Sequence, residues 1–110
     1  MNKNFKLLPH EIIEILDWKG ADGCFASDRI TIDGCKVGFA YRETPDNATD
    51  SGWRFLAGDE NDEYMDNPNH CGIYKLNTIC NYDNDIISIL NSPPGSSFIR
   101  NRNGEFMLCN

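Results

Sequence analysis

"RITIDGCKVGFAYRE", Arg29 to Glu43, is the stretch on which the reading of the fold turns. Ile30 and Ile32 alternate with Arg29, Thr31 and Asp33. After Asp33-Gly34, Val37, Phe39 and Tyr41 alternate with Gly38, Ala40 and Arg42. Two period-two runs around Asp-Gly predict a β-hairpin, because that dipeptide readily takes the positive φ angles of a tight turn. "ETPDNATDSG" follows as a polar loop punctuated by Pro45 and Gly52. "WRFLAG" then reads as a third strand, with Trp53 and Phe55 on one face and Arg54 and Leu56 on the other. Val37, Tyr41, Trp53 and Phe55 are the expected structural core. Burying them places Arg42 and Arg54 together on the opposite face, beside acids. Two readings of that face stand: the Trp, Tyr and Arg mixture of an interface hot spot, or core aromatics with ordinary surface ion pairs.

Outward from this stretch, Pro9 suits the first turn of a helix and Glu11 its positive end. Ile12, Ile15, Leu16 and Lys19 continue at helical spacing, Ile13 and Trp18 widen the apolar side, and Gly20 or Gly23 stops it. "GDENDEYMDNPNH" lacks a strand pattern and makes either one helical turn at Glu60 to Met65 or a loop. "CGIYKL" is a short apolar segment. "NTICNYDNDIISILN" predicts a helix capped by Asp83 or Asn84, with Ile86, Ile87, Ile89 and Leu90 inward and "SPPGS" ending it. "SFIR" and "EFMLC" form a closing hairpin across "NRNG". The expected architecture is α+β: a mostly antiparallel sheet of about five strands with two packing helices. It forms one domain over 1–110, with an N-terminal helix region at 1–23, a core at 24–100 and a closing strand at 101–110.

The 110 residues, 40% hydrophobic and 25% charged, match a folded domain and not a disordered chain. A net charge of -7 makes nucleic acid an unsuitable partner and a basic protein a favoured one. Seven acids and one base, Arg54, lie between Pro45 and Asp66, so nearly all the excess charge is local. Glu14 interrupts "EIIEIL", which leaves no signal-type apolar run, and no stretch is long enough to span a bilayer. Five cysteines cannot all pair within one chain, so reduced thiols in the cytoplasm are expected. Monomer and homodimer are both open.

The acidic stretch invites a calcium loop and fails as one. Counting from Asp59, Tyr64 stands where the turn glycine belongs and His70 where the bidentate Glu belongs. No paired spacing around His70, Cys71 and Cys80 makes a zinc site. In an extended segment His70 and Cys71 point to opposite faces, which argues against a nucleophile and base. "GCKVG" sits in the expected hairpin and not before a helix, so it is no phosphate loop. No catalytic residue, metal ligand or cofactor is assigned.

The residues also resemble the immunity protein 33 family. The resemblance runs from about Ile30 to Arg100, carried by Val37-Gly38, Tyr41-Arg42-Glu43, Asp50-Ser51-Gly52-Trp53 with Phe55, Gly58-Asp59-Glu60, Tyr64, Leu76-Asn77-Thr78-Ile79 before Asp83, and Pro94-Gly95-Ser96 with Phe98. It implies a small cytoplasmic bacterial protein that binds and neutralises a cognate toxin, and it carries over no catalytic residue. Charge complementarity adds a basic, nuclease-like toxin as the expected partner, with no membrane contact. The expected binding surface is Asp59, Glu60, Asp62, Glu63 and Asp66, with Tyr64 as an aromatic anchor. The alternatives are a small enzyme or metal or ligand binder using the carboxylates from Asp59 to Asp66, and a structural or regulatory domain.

Overall fold

Ser27 decides what the Arg29–Glu43 stretch becomes. In the computed structural model, which describes residues 3–109, the Ser27 hydroxyl accepts a hydrogen bond from the Arg29 amide at 3.1 Å. That cap starts a one-turn helix, α1 (Asp28–Thr31), directly after strand β1 (Gly23–Ser27). Ile30 and Thr31, adjacent on this turn, are both buried. Gly34 takes φ 78 and ends the turn. The expected hairpin about Asp33-Gly34 is therefore not formed; a capping Ser-Asp pair outcompetes the Asp-Gly turn signal. Only the second run becomes a strand, β2 (Phe39–Arg42).

β2 pairs antiparallel with β3 (Asp50–Leu56), and β3 also pairs in parallel with β1. β4 (Cys71–Lys75) lies antiparallel on the far side of β1. β5 (Ser97–Arg100) and β6 (Phe106–Leu108) form the closing hairpin beside β2. The result is α+β with a six-stranded, mostly antiparallel sheet in the order β4-β1-β3-β2-β5-β6. Periodicity left out two strands: β1, which runs straight into α1, and β4, which reads only as a short apolar segment.

The helices differ more. Residues 12–19 are extended and not helical; a 3₁₀ turn at Pro9–Glu11 is all that Pro9 begins. Side chains of α3 (Leu76–Tyr82) hold this arm in place of a helical ladder. Asn77 Oδ1 accepts from the Ile15 and Leu16 amides at 2.9 and 3.0 Å, and Asn81 Oδ1 accepts from Ile13 at 3.1 Å. Both asparagine amides donate to the Ile13 carbonyl at 2.9 Å. β-Branched Ile12, Ile13 and Ile15 suit that extended path. The helix expected at Asp83–Leu90 is a 3₁₀ segment, Asn84–Ile89, with Asp83 as its cap; Ile86, Ile89 and Leu90 point inward and Ile87 outward. The α-helix lies one step earlier.

α1, α3 and the Asn84–Ile89 segment cover one sheet face. Ile30, Leu76, Ile79, Ile86 and Leu90 pack there with Val37, Ala40, Trp53 and Phe55, all fully or nearly fully buried. Trp53 stacks on Phe55 (centroids 5.8 Å apart, planes at 8°) and donates its indole N–H to the Leu90 carbonyl at 3.1 Å. Gly52, at φ 92, lets β3 pass β2: a Cβ there would lie 2.2 Å from the Glu43 carbonyl oxygen.

The register corrects one placement. Tyr41 pairs with Arg54, and Arg42 with Trp53. Cross-strand partners share a face, so Tyr41 is half-buried on the face opposite Trp53 and is not part of the core. Arg42 belongs to the core side, its guanidinium 5.7 Å from the Trp18 ring and 5.8 Å from the Trp53 ring. It donates to the Ser51 and Ser92 carbonyls at 2.9 and 2.8 Å. The two arginines do not share a face.

Candidate partner-binding surface

The acidic loop leaves β3 at Gly58. The Glu60 carboxylate turns back to accept from the Ala57 and Gly58 amides at 2.8 and 2.9 Å. Burial pushes the Glu60 pKa up, but hydrogen bonds from Ser27 and these amides outweigh it and leave it below the ordinary value. Asp59 meets Arg29 in a two-pronged ion pair at 2.6 and 3.2 Å, and Arg29 also holds Asp33 at 2.8 Å. The Arg29 bond holds the Asp59 carboxyl below its usual range. Asn61 then caps α2 (Asp62–Met65), accepting from the Tyr64 amide at 2.8 Å.

Half of the expected site is therefore tied to the rest of the fold, Asp59 through an exposed ion pair, and half stands free. Asp59 and Glu60 tie the loop to α1 and to the end of β3. Tyr64 is half-buried and stacks on His70 at 4.0 Å. Asp62, Glu63 and Asp66 are exposed and form no ion pair among the described residues. No three His, Cys, Asp or Glu side chains converge as a metal site among the described residues. All five thiols are free, and burial raises the pKa of Cys24 and Cys80, the latter to about 11, so neither is a thiolate at neutral pH. No helix among the described residues is long and apolar enough to cross a membrane.

The same loop borders a second feature, on the sheet face that the helices leave open. Arg54 is buried at its centre, bonded twice to Asp50 at 2.9 Å and lying 4.6 Å above the Phe25 ring. Glu43 and Asp46 stand further off at 3.5 and 3.6 Å, 49% and 71% exposed. Phe25, Tyr41, Leu56 and Met65 wall a hollow of about 270 Å³ over this guanidinium. Sequence periodicity could not find the cluster. Asp50 and Arg54 are four residues apart along a strand, and only the bend at Gly52 lets them meet.

The Asp50 carboxyl is held far below the usual range, chiefly by the Arg54 bonds and also by the Asp46 and Gly52 amides, with burial opposing. A depressed folded pKa adds stability above the unfolded value of 3.8 that is lost as pH falls through the folded value. Stability should therefore drop on acidification below about pH 4. Asp50→Asn should make that drop shallower, as read from urea midpoints between pH 2 and pH 5.

A family model for the immunity protein Imm33 domain matches residues 24–110. The chain belongs to this family. The Imm33 match begins inside β1, takes in the remaining strands, both rims of the open face and the acidic loop, and omits the N-terminal arm. No curated protein and no solved structure matches the chain. Membership suggests a non-enzymatic, toxin-neutralising immunity role, with a toxin as partner.

Proposed function

We propose that this chain neutralises a basic, nuclease-like toxin in the cytoplasm by binding it directly through its acidic surface. The outward direction of Asp62, Glu63 and Asp66 is the observation that supports this most. Three carboxylates without a base beside them repel one another, and a cationic protein surface relieves that repulsion. In this reading Asp59 and Glu60 fix the loop's shape, and Tyr64, clamped by His70, keeps α2 in place.

Asp62→Lys/Glu63→Lys should weaken binding to a purified cognate toxin domain by about tenfold and flatten its salt dependence. The melting temperature should stay within about 2 °C, because neither side chain has an internal partner. Isothermal titration at two salt concentrations measures both effects. Unchanged affinity would remove the loop from the interface.

A further inference from the structure

The open sheet face carries two rows of side chains set by strand register. Met107, Ile99, Phe39 and Leu56 are successive cross-strand partners from β6 to β3. Tyr41, Arg54, Phe25 and Ile73 form the second row, from β2 to β4. Ile73 is 72% exposed, Met107 52% and Ile99 51%, and the Phe39 and Tyr41 rings lie 5.5 Å apart. Singly exposed apolar residues are ordinary, but one unbroken apolar row beside a second interrupted only by the buried Arg54, together crossing six strands, is not.

Charge sets this face apart from a patch of misplaced core. Asp50, Glu43 and Asp46 all lie within 3.6 Å of the one Arg54 guanidinium, so the cluster carries two surplus negative charges, and the exposed pair, Glu43 and Asp46, places them at the mouth of the hollow. Asp62, Glu63 and Asp66 lie on the loop that carries Met65 to the hollow's wall. An apolar floor with an acidic rim fits a protein surface that is apolar at its centre and basic around it.

We propose that this open face is the docking surface for the toxin, and that one lysine or arginine of the toxin enters the hollow over Arg54 and ends between Glu43 and Asp46. The inference rests on the neutralising role proposed above and locates it. Tyr41 and Phe25 pack along the aliphatic stem of the entering side chain, and the two exposed carboxylates receive its charge. Ile99, Met107 and Phe39 bury against the toxin's apolar centre. Anionic lipid does not suit this face, because the rim repels it, and a second copy carries the same negative rim.

Two double variants of the full chain and a footprint test this against a purified cognate toxin domain. Ile99→Gln/Met107→Gln should weaken binding at least tenfold with an unchanged salt slope. Glu43→Lys/Asp46→Lys should weaken it at least tenfold and flatten the slope. The first variant alters exposed positions outside the ion cluster, so it stands as a test even where the second loses stability. Hydroxyl-radical footprinting should show Met107, Tyr41 and Phe39 protected in the complex. Full affinity in both variants, with protection elsewhere and the toxin still neutralised, would overturn this surface and leave the function standing. Failure of the unaltered chain to bind the toxin would overturn both. Protection of the same residues by raising the concentration of the chain alone would assign the face to self-association and overturn the toxin assignment.

Discussion

Asp83→Ala will destabilise this domain by about 3–5 kcal/mol, the range for removing one partner of a buried charge pair. Asp83 is fully buried at the junction of α3 and the following 3₁₀ segment. Its carboxylate accepts from the Val37 amide at 2.9 Å, the Asp85 amide at 3.1 Å and Arg100 at 2.5 Å. Arg100 in turn donates to the Val37 and Gly104 carbonyls, both at 2.8 Å, and lies 4.3 Å from the Phe106 ring. One carboxylate thus joins the segment entering β2, the end of α3 and the β5–β6 hairpin. Removing it leaves a buried amide without an acceptor and a largely buried guanidinium with only Asp85 opposite it. Urea unfolding measures the loss as a midpoint shift of about 2 M at an ordinary slope. A shift under 0.5 M would show that water replaces the carboxylate.

Trp53→Ala should cost a similar 3–5 kcal/mol by a different mechanism, loss of apolar contact and an unfilled cavity. The indole touches Phe55, Phe98 and the Arg42 guanidinium, and its N–H holds the Leu90 carbonyl. Its loss also frees Leu90, which caps the 3₁₀ segment. At about 4–8 °C per kcal/mol the melting temperature should fall by at least 12 °C. Trp53→Phe keeps the stacking and loses only the indole bond and some volume, so it should fall by less than half as much. Equal losses for the two variants would mean that the hydrogen bond, and not packing, dominates at this position.

Why Trp53 and Phe55 were legible, and Tyr41 was not, follows from the range of the interactions. The alternation that sets Trp53 and Phe55 on one side of β3 and Arg54 and Leu56 on the other is a property of one segment and survives folding, although β3 is buried on both sides as far as Phe55. The face that Tyr41 takes depends on which residue it meets across strands, and the Tyr41–Arg54 register is a non-local choice. The closing hairpin was legible for the same local reason as β3, with "NRNG" marking its turn. The N-terminal arm misled because Ile12, Ile15 and Leu16 have helical spacing, while Asn77 and Asn81, over 60 positions away, satisfy the backbone in an extended form. Of the acidic loop, composition disclosed the charge but not its direction. Whether a carboxylate folds back onto amides, as Glu60 does, or faces solvent, as Asp62 does, depends on the turn at Gly58.

The most direct test of the central claim is a titration of a cognate toxin domain's activity with the purified chain. Stoichiometric occlusion predicts that activity falls linearly and reaches zero near one equivalent, with recovery when the two are separated in high salt. Loss of toxin activity at a small fraction of an equivalent, or undiminished activity in excess of the chain, would contradict it.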